Sequence, residues 1–283
     1  MKLIMSLFLG LVQGIAEFLP ISSSGHLSIL QNFLKLDYSQ ENHLLFDMLL
    51  HLGTLISICV VYRADLKTMV TDGVDFIRRR NDSNLDEPIT LKPPARALML
   101  VIIGTLPMVI PLIFMKSIEK LFNRTAFIGI ALIITGAILF VADRYIDRGN
   151  KTEKTMTIAD ALIIGLAQAV ATLPGLSRSG TTIAVGLSRG LNGSFAVRFS
   201  LLLSIPAVLG GTIVSLFNAI RNKADFSLFP IYLAGFIVAA IVGFFAIQLI
   251  RRLISKGGFS KFAFYCWGVG ALTLILSLIL QGK

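Results

Sequence analysis

Apolar residues fall in ten blocks along this chain. Five lie in the first half, at about 3–19, 22–34, 44–62, 97–115 and 125–142. Five lie in the second, at about 158–173, 180–191, 196–217, 229–250 and 262–280. The runs 97–114, 125–142, 229–250 and 262–280 are each near the ~20 residues that carry a helix across a bilayer. The first two blocks of each half are shorter and more polar. Pro20 and a run of serines break the first pair, and Pro174, Gly175 and a Ser-Arg-Ser-Gly run break the second. Irregular backbone at membrane depth survives only where it lines a protein cavity. Each pair therefore reads as a re-entrant helical hairpin, followed by three full spans. The segment 63–96 is the longest hydrophilic stretch; it reads as a surface loop with an amphipathic helix over about 64–80.

The two halves are copies of each other. The segment Gly10-Leu-Val-Gln-Gly-Ile-Ala-Glu-Phe-Leu-Pro-Ile-Ser-Ser-Ser-Gly-His26 aligns without a gap on Gly165-Leu-Ala-Gln-Ala-Val-Ala-Thr-Leu-Pro-Gly-Leu-Ser-Arg-Ser-Gly-Thr181, at an offset of 155 residues. A weaker register pairs 53–57 with 211–215. Three crossings after each hairpin put the second half in the opposite sense, the inverted-repeat plan of membrane proteins with a midplane site. The expected fold is an all-α polytopic membrane protein: one transmembrane domain over 1–283, built as an inverted repeat of two five-helix halves, 1–145 and 156–283. It has about six full spans and two re-entrant hairpins that meet near the midplane.

Composition agrees on the solvent. The chain is 55% hydrophobic and only 15% charged, with mean hydropathy +0.79, too apolar for a soluble domain of this size. Its net charge of +10 sits in the loops, where it suits anionic membrane lipids. No base-reading motif is present, so nucleic acid is not an expected partner. The N-terminus imitates a signal peptide, but the same segment recurs in mid-chain, which argues for a structural element. Cys59 and Cys266 lie in apolar runs and read as small buried residues. With the N-terminal side called A, seventeen of the 26 Lys and Arg fall on side B and eight on side A, leaving Arg178 inside the second hairpin. The positive-inside rule then makes side B cytoplasmic. Both termini, and the mouth of the first hairpin, are expected outside the cytoplasmic membrane of a bacterium.

The chemistry lies where the repeats differ. Glu17 aligns with Thr172, Ser23 with Arg178 and His26 with Thr181. Ser22, Ser23, Ser24 and Gly25 offer hydroxyls and freed backbone N–H groups to an anion, and Ser177, Ser179, Gly180 and Thr182 do the same in the second tip. Serines that merely cap a broken helix would explain one or two of them. They would not explain Glu17 and His26 beside them in a membrane segment, where ionisable groups are costly. Gln13 and Glu17 share a helical face and can hold a hard divalent cation or a water; Glu17 can equally act as a general base or pair with Arg178. Across a pseudo-twofold axis, Ser23 and Arg178 would approach one phosphate from opposite sides, with the guanidinium fork on two of its oxygens. Asp47 and His51 are four apart in the third block; they bond each other or lean on the site, and a structural role is preferred. His43 falls in a loop and adds nothing.

The whole pattern is more specific than its parts. Gln-x-x-x-Glu-Phe-Leu-Pro-Ile-Ser-Ser-Ser-Gly-His at 13–26 and Leu-Pro-Gly-Leu-Ser-Arg-Ser-Gly-Thr-Thr at 173–182 resemble the undecaprenyl-diphosphate phosphatases, the bacitracin-resistance family. Phe46-Asp-x-x-x-His-Leu-Gly-Thr54 and Arg198-Phe-Ser-x-Leu-Leu-Ser-Ile-Pro206 extend that resemblance over nearly the whole chain. It implies removal of the terminal phosphate of undecaprenyl diphosphate at the outer membrane face, regeneration of the carrier lipid, and bacitracin resistance through depletion of that drug's target. It assigns Ser23, His26 and Arg178 as catalytic. The family's acidic motif is Glu/Gln-x-x-x-Glu; with Gln13 in the variable place, Glu17 is the sole charged ligand for a magnesium or calcium ion. Nucleophilic attack is open between Ser23, with His26 as its base, and His26 itself. A homodimer is left open. The rival reading is a transporter or flippase of an anionic polyprenyl phosphate, since inverted repeats and a midplane anion site also suit transport.

Overall fold

A computed structural model of the chain describes residues 2–34, 40–80, 91–146, 148–221, 226–254 and 258–281. Among these the regular structure is helical: α1 (Leu3–Phe18), α2 (Ser23–Leu34), α3 (Gln40–Val61), α4 (Arg63–Arg80), α5 (Pro93–Thr105), α6 (Val109–Ile113), α7 (Met115–Phe122), α8 (Thr125–Ala142), α9 (Ile158–Val170), α10 (Arg178–Ser188), α11 (Gly193–Arg221), α12 (Phe229–Ile254) and α13 (Phe259–Gln281). Five spans, Pro93–Ile113, Thr125–Tyr145, Gly193–Arg221, Phe229–Ile254 and Phe259–Ile279, are long and apolar enough to cross a membrane, and Leu45–Val61 with Arg63–Arg80 passes the same test only as a pair bent by 75°. The described residues thus give five spans, or six with that pair, against about six expected. Large apolar side chains such as Ile113, Phe245 and Leu278 are exposed, a surface that water would penalise and lipid tails satisfy.

Local chemistry explains the differences from the sequence reading. Pro107 removes a backbone donor from the fourth block, and a 3₁₀ turn at Leu106–Met108 separates α5 from α6. The amphipathic helix expected over about 64–80 is present as α4, with Asp65 in its first turn and Arg78, Arg79 and Arg80 in its last, each charge matching the helix dipole at its end. His43 falls within α3 and not in a loop.

Both hairpins turn where the sequence breaks. A residue before proline is driven out of the helical region; Leu19, before Pro20, is extended at φ −70°, ψ 143° and ends α1. In the second tip Gly175 takes φ +94°, which glycine adopts without a Cβ penalty. The restarting helices are capped alike. Ser22 Oγ accepts from the Gly25 N–H at 3.2 Å, and Ser177 Oγ from the Gly180 N–H at 3.1 Å.

Packing repeats with the sequence. α1 lies on α12 and α9 lies on α5. A methyl at Gly10 would collide with the Gly235 carbonyl oxygen, and one at Gly165 with that of Gly104; equivalent glycines let equivalent helices touch. The tips also meet reciprocally. Gly25 faces Gly175, and Gly180 faces Pro20, four residues paired by the 155-residue offset. The weaker register at 53–57 and 211–215 has no such counterpart: Gly53 abuts the Phe236 carbonyl, whereas nothing lies within 4 Å of a methyl at Gly211.

Candidate active site

The tip-to-tip contact brings the two unlike halves of the chemistry together. Glu17, buried on the last turn of α1, is the hub. Its Oε1 accepts from Arg178 Nη2 at the start of α10. Its Oε2 accepts from Ser23 Oγ at 2.5 Å and from Gln13 Nε2 at 3.0 Å. Charge-assisted bonds of this kind are the short, strong ones. One carboxylate, from one repeat, thus receives the serine of its own tip and the arginine of the other. The contacts are those of an anionic carboxylate held between the two hairpins.

The remaining residues divide by position. Ser22 adopts φ 69°, the only non-glycine residue with positive φ among those described; a serine there is strained, and such strain concentrates at functional sites. Ser22 Oγ and Ser24 Oγ are 3.4 Å apart, and Ser177 Oγ and Ser179 Oγ 3.3 Å. Thr182 Oγ1 meets Ser200 Oγ at 2.5 Å. Gln13 Oε1 is buried with no hydrogen-bond partner among the described residues. A crevice with no room for a water-sized molecule runs over Glu17, Phe18, Arg178, Ser179, Ser200, Leu201 and Ser204. The larger cavity, about 640 Å³ and walled in part by Asp65, Arg198 and Arg251, lies elsewhere. Its Arg198 is tied to Asp65 at 2.9 Å.

Two expectations change. Ser23 and His26 are not partners. Ser23 turns to Glu17, while His26 Nδ1 is bonded to the Ser22 carbonyl at 2.8 Å and Nε2 to the Tyr265 hydroxyl at 2.8 Å. Three residues along a helix put the two side chains near one face, but the carboxylate on α1 captures the serine first. His51, read as structural, instead has Nε2 at 3.7 Å from Glu17 Oε2. Its Nδ1 is bonded to the Asp47 main-chain oxygen at 2.8 Å, and the Asp47 carboxylate takes Gln31 Nε2 at 2.9 Å, so Asp47 and His51 do not join through their side chains. Ser200, Ser204 and Tyr265 were not singled out. The serines stand four apart on α11 in a motif already noted for its resemblance, which was their only signal. Tyr265 had none, because its relation to His26 spans 239 residues.

Fold and site together define a polytopic α-helical membrane protein with a polar, anion-type centre between two broken hairpins. The family model of the bacitracin resistance protein BacA matches residues 6–272, and the chain belongs to that family. It is 39% identical over 291 residues to an undecaprenyl-diphosphatase of Methanosphaera stadtmanae, covering 99% of this chain and 100% of that one. It is 40% identical to one of Carboxydothermus hydrogenoformans, covering 96% of each.

Proposed function

We propose that the protein removes the terminal phosphate of undecaprenyl diphosphate, yielding undecaprenyl phosphate and inorganic phosphate and so recycling the carrier lipid of cell-wall synthesis. The observation that carries this reading is the meeting of Ser23 and Arg178 on the two oxygens of Glu17. The lipid tail stays among apolar helices while the diphosphate enters between the tips and takes over the Arg178 donor that Glu17 now occupies, with Ser23 still bonded to the Glu17 carboxylate.

Ser23 is the nucleophile. Its Oγ bonds to the terminal phosphorus, the bridging P–O bond breaks, and the electron pair leaves with the lipid monophosphate. Glu17, 2.5 Å away, takes the serine proton, the activation a hydroxyl needs. Water then bonds to phosphorus, the P–Oγ bond breaks, Glu17 returns its proton to Ser23 Oγ, and inorganic phosphate leaves. Arg178 neutralises the transferring phosphoryl group, where electrostatic positioning does most of the catalytic work. His26, bonded by Ser22 and Tyr265 rather than facing Ser23, serves the leaving oxygen or the phosphate at the outer edge. Gln13, Ser22, Ser24, Gly25, Ser177, Ser179, Gly180 and Thr182 bind phosphate oxygens or shape the tips that do. The orphaned Gln13 Oε1 beside a carboxylate suits a hard cation: Glu17 and Gln13 would hold magnesium or calcium, which neutralises diphosphate charge.

The chain works as one unit over 1–283, with halves 1–145 and 156–283 in opposite senses and the site open to the outside. The reciprocal tip contacts support the duplication, and the seventeen-to-eight distribution of Lys and Arg supports the orientation. A flippase of the same lipid is not favoured, because acid, hydroxyl and imidazole are gathered in one repeat and not shared between two. The test is release of inorganic phosphate from undecaprenyl or farnesyl diphosphate by protein purified in detergent, with magnesium or calcium. Substrate that binds and is returned intact would reject the hydrolase reading.

A further inference from the structure

We infer that Tyr265 is the positioning residue of His26, fixing the direction in which the lone pair of Nε2 points; this rests on His26 taking part in the reaction proposed above. A carbonyl only accepts, so the bond to the Ser22 oxygen at 2.8 Å requires the proton on Nδ1. In the neutral ring Nε2 is then the acceptor, and the Tyr265 hydroxyl donates to it at 2.8 Å. The two rings lie within 9° of parallel, with centroids 5.6 Å apart, so the imidazole is restrained in plane as well as at both nitrogens. The partner comes from α13 in the other half of the chain, 239 residues away. α13 also touches the first tip at Pro20, whose carbonyl lies 3.8 Å from Cys266 Sγ.

The consequence is chemical. An imidazole held at both nitrogens does not rotate into the Ser23–Glu17 pair; it keeps Nε2 at the half-exposed edge where α2 faces α13. Once protonated, the same Nε2 donates back to the phenol oxygen, so one partner serves both charge states. An incoming phosphate oxygen exchanges with the Tyr265 hydroxyl at Nε2 and meets a ring already oriented. Preorganisation of this sort acts on turnover more than on binding.

The test is steady-state turnover of undecaprenyl diphosphate by wild type, Tyr265→Phe, His26→Ala and the double variant, all purified in detergent. Tyr265→Phe keeps the ring and loses only the hydroxyl; it should lower kcat about tenfold, with KM changed by less than about threefold. In the His26→Ala background the same substitution should cost nothing further. Equal losses in both backgrounds would mean that Tyr265 only packs, and a wild-type kcat in Tyr265→Phe while His26→Ala is impaired would also overturn the inference. A fully active His26→Ala would instead strike the part given to His26 above, and the role of Tyr265 with it. A readout independent of turnover is the ¹⁵N spectrum of ring-labelled protein: the Nδ1–H tautomer set by the Ser22 carbonyl should persist in Tyr265→Phe, while the Nε2 resonance should shift as it loses its hydrogen-bond donor. An unchanged Nε2 resonance would reject the assignment.

Discussion

At the scale of single residues, the account turns on Glu17, whose two oxygens hold Ser23 and Arg178. Glu17→Gln keeps the shape, but it removes the acceptor of the Ser23 proton and the charge facing Arg178. Turnover should fall by about 10²–10⁴-fold, the usual worth of a positioned acid–base group, measured as phosphate release at saturating substrate. Arg178→Lys keeps the charge and loses the planar fork. We expect it to bind substrate while turning over at least tenfold more slowly, with kinetics and direct binding measured side by side. These residues were legible in the sequence because a membrane segment makes Glu, His and Arg expensive and therefore conspicuous. What could not be read was their pairing. Whether Ser23 turns to His26 on its own helix or to Glu17 on the previous one depends on the angle of the Pro20 break, which no spacing rule supplies. His51 was underrated for the same reason: only the packing of α3 beside α1 shows it facing Glu17.

At the scale of elements, glycines set how closely the helices cross. Gly165→Val should force α9 off α5, because the branched side chain meets the Gly104 carbonyl. Overpacking of this kind costs about 1–3 kcal/mol, visible as a lower melting temperature in detergent. Gly211→Val, with open space around it, is the control that should leave melting unchanged. Asp160 clamps the second hairpin by taking Lys151 Nζ at 2.8 Å and Arg189 Nε at 2.9 Å, one before α9 and one after α10. The hairpins themselves were legible from Pro20, Pro174 and Gly175. The break at Pro107 was not, because hydropathy continues through a proline; the end of the third block at 62 and the amphipathic helix after it were read, but hydropathy says nothing about the 75° bend between them.

At the scale of the whole molecule, a segment repeated at a fixed offset led to an all-helical membrane architecture of about six expected spans before any packing was known, and the described residues hold five, or six with the bent pair. Orientation is a separate matter, resting on loop charge. Single cysteines at positions 2 and 79, in a background carrying Cys59→Ala and Cys266→Ala, should react differently with an impermeant thiol reagent on intact cells, position 2 labelling and position 79 not. The reverse pattern would turn the site inward. The central claim is that the two hairpins build one phosphatase centre, with Ser23 supplied by one and Arg178 by the other. Turnover of undecaprenyl diphosphate by Ser23→Ala, Arg178→Ala and the double variant tests it most directly. Residues that act as a unit are strongly non-additive, so each single change should cost at least about 10³-fold and the double little more than either; near-wild-type turnover in either single variant, or losses that multiply in the double, would contradict a shared centre.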